Sequence, residues 1–286
     1  MEILVHIGLN KCGSTHIQAS LAAARDRLAQ AGTWYPDDPG RTSHYGLSRA
    51  LGFGPEDPGV PLQSLHGYVA QADARGCGRL ILSSEYLSLF HPAGAATLLA
   101  EICRIDARVR VVMFSRDVLG WVRSQFNQYV RTVDGAPYLP DINAYLDQVL
   151  AKGALRIADR ADQWRNLLPD GAFCHHVLQR PMDALVPFIA FAGVAIPPVK
   201  GAGNGSLSAD VLYRIGHLRQ RAPRPARDAE IAGLLAGEIA AAPAPERYLE
   251  ISAEHMARLR AEVIAPLSRL PVDPLPQNPL DLAAAG

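Results

Sequence analysis

The chain has 286 residues, 49% of them hydrophobic and 20% charged, and its 28 basic and 28 acidic side chains cancel to a formal net charge of +0. This suits one large globular domain with a full hydrophobic core and excludes recruitment of nucleic acid or an anionic membrane by a global field, so any basic site must be local. No basic segment leads into an apolar signal sequence, prolines break the longest apolar stretch at 185–199, and Cys12, Cys77, Cys103 and Cys174 show neither paired spacing nor a zinc pattern. A cytoplasmic protein with reduced thiols, no transmembrane segment, no nucleic-acid partner and no bound metal is expected; a homo-oligomer stays open.

Glu2–Ile7 is an apolar run closed by Gly8 and reads as a buried strand. Helical periodicity follows over Thr15–Gln30, ending at Gly32, and Pro36–Arg41 is a turn-rich loop. Helices are predicted at His44–Leu51 and Leu62–Ala74, then a second strand at Arg79–Leu82 ending in "SSE". After a helix at Ala95–Arg104 comes the clearest strand, Arg108–Phe114, closed by Ser115 and Arg116, with Asp117 placed to cap a helix running to about Arg131. Helices at Ile142–Leu150 and Leu155–Leu168, a fourth strand at Ala172–Leu178 and a helix at Pro181–Ala192 complete the alternation. From Ser208 the chain is Ala/Leu/Arg-rich helix with interruptions at "RAPRPARD" and "AAPAPERY".

Strands alternating with helices predict a three-layer α/β/α domain on a mainly parallel sheet over residues 1–200, a helical C-terminal region over about 204–270 and a Pro-rich tail at 271–286. In such sheets ligands bind beyond the carboxyl ends of the strands. Three of those ends carry polar groups, namely Lys11, Ser84 with Glu85, and Arg116, which points to one shared cleft.

The first of these ends, "VHIGLNKCGSTHIQ", is a strand, a Gly-punctuated turn and a helix start. Backbone N–H groups of residues 9–15 and the helix dipole favour an anion there, Gly13 permits close approach, and Ser14 and Thr15 add hydroxyls. An ordinary strand–turn–helix junction, with Ser14 or Thr15 as a cap, is the bland alternative. A Walker-type loop sets its Lys directly before Ser or Thr, whereas Lys11 stands three residues before Ser14. The chain has only three lysines, at positions 11, 152 and 200, which hints that a compact charge is wanted in the loop. A second motif, "VVMFSRDVLGWVRSQFNQYVR", puts Arg116 at a strand end and Ser124, Gln128 and Arg131 on one helix face, a fork and a hydroxyl for a second phosphate.

Together these segments resemble the sulfotransferases that use 3′-phosphoadenylyl sulfate (PAPS), which pair an early KxGTT-type loop for the 5′-phosphosulfate with a later strand–Arg–helix–Ser motif for the 3′-phosphate. Here the two read "NKCGSTHIQ" and "FSRDVLGWVRSQ", and "GTWYP", "SHYGLSRAL", "LILSSEYL" and "GNGSLSADVLYRI" look like bacterial members. The resemblance spans roughly the first three quarters of the chain. Cys12 and Ser14 replace the common Thr residues; Ser14 keeps a hydroxyl, and Cys12 has no equivalent donor.

The resemblance implies a P-loop-type fold and sulfuryl transfer from PAPS, without metal, to a hydroxyl of a carbohydrate, lipid or small-molecule acceptor. It implies that Lys11, Cys12, Gly13, Ser14 and Thr15 hold the phosphosulfate and that Lys11 meets the bridging oxygen as charge builds there. Arg116 and Ser124 would hold the 3′-phosphate, with Lys200 and Asn204 in a late loop that folds over it. An acceptor hydroxyl needs a base, and Glu85 and His44 are the candidates. Trp121 and Phe126 are candidates for the adenine pocket, and Trp34, Tyr35, Tyr45, Tyr68 and Tyr138 for the acceptor, though aromatic residues serve a core equally well. The alternatives are a P-loop small-molecule kinase, against which stand the displaced Lys11 and the lack of a clear strand-terminal Asp for Mg²⁺, and a non-catalytic nucleotide-binding protein of the same fold.

Overall fold

The structure, a computed structural model, describes residues 1–54, 56–89, 91–132, 141–179, 183–199, 207–221, 224–238, 240–241, 243–244 and 248–272. In chain order the elements are β1 (Glu2–His6), α1 (Ser14–Ala23), α2 (Arg25–Gln30), β2 (Thr33–Trp34), α3 (Tyr45–Ala50), α4 (Leu65–Asp73), β3 (Arg79–Ser83), α5 (Pro92–Arg104), β4 (Arg108–Ser115), α6 (Val118–Thr132), α7 (Ile142–Ala151), α8 (Ile157–Leu167), β5 (Phe173–Val177), α9 (Leu185–Ala192), α10 (Ala209–Arg221), α11 (Arg224–Ala236), α12 (Ala253–Leu259) and α13 (Ala265–Ser268). A 3₁₀ turn over Glu85–Leu89 follows β3, and a π turn over Arg260–Ile264 joins the last two helices.

The protein is α/β, with a five-stranded, all-parallel sheet of order β2-β3-β1-β4-β5 and helices around it. Strands buried on both faces need continuous apolar runs, and these have them: Ile3–Val5, Leu80–Leu82 and Val111–Phe114 are all essentially inaccessible. β1 lies between β3 and β4, with His6 in register with Ser83 on one side and Val112 on the other. The chain leaves β1 toward β2 at one edge and leaves β4 toward β5 at the other, so the sheet reverses its order between β1 and β4. At such a reversal the loops diverge and leave a crevice beyond the strand ends. No helix among the described residues is long and apolar enough to cross a membrane.

The chain divides into two compact units. The first comprises Met1–Asp117, Ala158–Ala202 and Leu270–Gly286, and holds the sheet. The second comprises Val118–Ile157 and Gly203–Arg269 and is helical in its described part. Its core is aromatic: Phe126 meets Tyr145 at 5.5 Å and Tyr248 at 5.6 Å between ring centroids, and Tyr213 meets Tyr248 at 5.4 Å. Asn143 ties α7 to the segment before α12, donating to Glu250 O and accepting from Ser252 N–H.

Candidate functional site

The loop after β1 stays tied to the sheet for three further residues. Ile7 N–H donates to Val112 O at 2.9 Å and Leu9 N–H to Phe114 O at 3.4 Å. Leu9 and Cys12 then turn their side chains into the core, which leaves exposed Asn10 and half-buried Lys11 outside. Two left-handed residues make the turn, Lys11 at φ 65° and Gly13 at φ 83°. Gly13 caps α1, its carbonyl accepting from His16 and Ile17 N–H, and among the described residues no side chain caps the first N–H groups of the helix. Backbone donors at a helix N-terminus preceded by left-handed turns form an anion-binding concavity.

Glycine is required at 13. A Cβ there would lie 2.5 Å from Ala184 Cβ, just ahead of α9, in a conformation that L residues avoid. Gly13→Ala is expected to cost about 2 kcal/mol or more of stability and to widen the loop; urea unfolding measures the first effect. Gly8 is as tightly placed: a Cβ would meet His6 Nε2 at 2.4 Å and Ser14 Oγ at 3.1 Å. Those two atoms, buried beneath the loop, have no hydrogen-bond partner among the described residues.

Arg116, beyond β4 and therefore across the sheet reversal, reaches the same loop. Its Nη1 donates to Lys11 O at 3.3 Å, its Nη2 lies 3.6 Å from Asp117 Oδ2, and its buried Nε has no partner among the described residues. The guanidinium thus clamps the left-handed residue by its carbonyl, and one donor remains unsatisfied. Cys12 is buried, and loss of solvent pushes its thiol up to about 12, with Arg116 pulling weakly the other way. A neutral thiol is a poor nucleophile and a poor target for oxidation. Thr15 is exposed at the first turn of α1, and Ser14 lies beneath it.

From the other neighbour of β1, Glu85 opens the turn after β3. Its Oε2 accepts from Gln18 Nε2 at 2.9 Å. Gln18, one turn along α1 from Ser14, also donates to Ser83 Oγ at 3.2 Å, and Ser83 Oγ lies 2.8 Å from His6 Nδ1. His16, on another face of α1, lies with Nε2 3.1 Å from Val199 O, and Ser20 Oγ accepts from Val199 N–H, so the segment leading to Lys200 runs along this helix.

His44 has a different place from the one expected of a base. It is buried, with Nε2 3.2 Å from Pro36 O and Nδ1 accepting from Ser83 N–H at 2.8 Å, between the rings of Tyr35 and Tyr68. Its one basic lone pair is therefore engaged by backbone, and its work is to hold the loop after β2 against the end of β3. Trp34, Tyr35, Tyr45 and Tyr68 are likewise buried and pack, as do Trp121 and Phe126 in the helical unit. Ser124 sits half-buried on α6 beside Gln128 in that unit. Lys200, Asn204 and Tyr138 lie outside the described residues.

Burial lowers the His44 pKa from the usual 6.5 to about 4, and that of His6 to about 3. The unfolded chain then takes up protons that the folded one refuses below pH 6.5, so this stability is complete above that value and falls as the pH drops toward 4. Each histidine is expected to withdraw about 2 kcal/mol by roughly pH 5. Urea unfolding at neutral and acidic pH checks it, with His44→Gln losing its share of the pH dependence.

Gln18, Ser83 and His6 were not singled out by the sequence. A polar residue on the apolar face marked by Ile17 and Leu21 was the one available signal for Gln18, and no motif gives it meaning. No protein-family model matches the chain, and no curated protein matches it.

Proposed function

We propose that the protein is a PAPS-dependent sulfotransferase of P-loop-type fold, moving a sulfuryl group to a hydroxyl of a carbohydrate, lipid or small molecule. The observation that carries this reading is the convergence of a left-handed, lysine-bearing anion loop, an arginine clamp and a carboxylate at the carboxyl ends of three adjacent parallel strands. In this reading the N–H groups around Gly13 and the Ser14 and Thr15 hydroxyls hold the phosphosulfate. Arg116, whose Nε has no partner among the described residues, holds the 3′-phosphate, and the resemblance assigns Ser124, Lys200 and Asn204 to the same group.

The acceptor oxygen attacks sulfur in line as the bond from sulfur to the bridging oxygen breaks. Its proton passes to the Glu85 carboxylate, and the bond pair stays on the bridging oxygen facing the Lys11 ammonium. Positioning and charge stabilisation then supply most of the rate, as they do for phosphoryl transfer.

The test is thermal stabilisation by 3′,5′-adenosine bisphosphate without Mg²⁺, which should amount to about 2.7 kcal/mol at a hundredfold excess over Kd, followed by transfer of labelled sulfuryl from PAPS to a panel of hydroxyl acceptors. Stabilisation by ATP only with Mg²⁺ would favour a kinase, and binding without transfer to any acceptor a non-catalytic protein. Because a charged hydrogen bond contributes about 1.5–3 kcal/mol, Arg116→Ala should reduce the preference for the bisphosphate over 5′-AMP roughly tenfold or more. Unchanged preference would remove Arg116 from the 3′-phosphate.

A further inference from the structure

We propose that Gln18 is the positioning residue for Glu85, so that the helix started by the anion loop also aims the carboxylate that takes the acceptor proton. This rests on the reading of Glu85 as the base. Gln18 is 4% exposed and spends both hydrogens of its amide inside the protein, one on Glu85 Oε2 at 2.9 Å and one on Ser83 Oγ at 3.2 Å. Ser83 is the last residue of β3, and its hydroxyl is shared with His6 Nδ1 from the last residue of β1. The amide is therefore braced against two neighbouring strand ends while it grips the carboxylate.

Three consequences follow from this placement. First, the bond fixes the Glu85 oxygen that faces α1. Second, the amide is a donor to the carboxylate, and such a donor favours the ionised form over the neutral one. Third, Ser14 and Gln18 are four residues apart on one rigid helix, about 6 Å along its axis, so seating of an anion at the first turn and orientation of Glu85 cannot vary independently. Tyr35, after β2, and Tyr86, in the 3₁₀ turn, both feel the Glu85 charge, which adds to the burial that raises their phenols. Burial raises both phenols, so neither carries a charge beside Glu85 at neutral pH.

The experiment follows the Glu85 carboxyl by carbon NMR in the full chain, assigned through Glu85→Gln, in the native protein and in Gln18→Leu and Gln18→Glu. Circular dichroism and binding of 3′,5′-adenosine bisphosphate report whether each variant is folded. Gln18→Leu removes the donor and keeps the volume, so the Glu85 titration and the acid limb of the pH–rate profile should both rise by about one unit. Gln18→Glu adds a like charge in the same place and should raise them further. An unmoved Glu85 titration in either folded variant overturns the proposal. A titration that moves in a protein transferring no sulfuryl group upholds the positioning role and defeats the sulfotransferase reading, while transfer with an unmoved titration does the reverse.

Discussion

Glu85→Gln is expected to lower kcat about 10²–10⁴-fold while leaving the affinity for 3′,5′-adenosine bisphosphate within a few-fold of the native value. Glutamine keeps the shape of the side chain and removes the site that, in the proposed mechanism, receives the proton. The neighbouring Gln18 amide, which donates to Glu85 Oε2, can still meet an amide oxygen, so the turn over Glu85–Leu89 has no reason to rearrange. The contrast with His44 makes the assignment sharp. His44→Gln should act through folding, since both imidazole nitrogens are engaged by backbone groups, and the surviving folded fraction should turn over at close to the native rate. Stopped turnover in folded His44→Gln together with near-native turnover in Glu85→Gln would reverse the two roles.

Lys11→Ala should reduce kcat about 10²–10³-fold, with a much smaller effect on binding of the product nucleotide. In the proposed mechanism the ammonium acts on charge that appears at the bridging oxygen as the sulfuryl group departs, and an interaction of that kind accelerates turnover without tightening the ground state. Lys11→Arg should recover only part of the loss, because a planar fork cannot replace a compact charge at one oxygen. Parallel losses in turnover and in nucleotide affinity would mean that Lys11 merely binds. The comparison requires an intact loop, which the clamp from Arg116 Nη1 to the Lys11 carbonyl makes reasonable, because that bond uses backbone and survives the change of side chain.

Much of the sheet was legible because buried parallel strands must be apolar runs. Glu2–Ile7, Arg79–Leu82, Arg108–Phe114 and Ala172–Leu178 were read as strands, and the structure places β1, β3, β4 and β5 there within a residue or two. β2 escaped because Thr33–Trp34 is too short to show any period. The predicted helix over Thr15–Gln30 breaks at Ala24, which takes φ −101° and ψ 10° with no glycine or proline to announce it. The turn after β1, with Gly13 at positive φ ahead of a helix start, was legible since its glycine spacing is local. The role of His44 was not, because a histidine beside a turn looks the same in sequence whether it meets solvent or lies, as here, between Tyr35 and Tyr68. Gln18 reaches the end of β3 and the turn after it, 65 and 67 residues away, and such a link is set by register, which one sequence does not display.

The backbone of residue 11 carries a consequence of its own. A left-handed φ of 65° in a residue with a side chain costs about 1–2 kcal/mol relative to a relaxed conformation, and glycine would remove that strain. A chain drifting under selection for robustness alone would be drawn to glycine at this turn. If the proposed sulfuryl transfer holds, a β-carbon bearing a cation at this turn, in a polypeptide that otherwise almost always chooses arginine for positive charge, makes residue 11 a gauge of selection for that activity. In chains descended from a common ancestor with this one, loss of that lysine to glycine would then mark the lineages in which the proposed chemistry is lost.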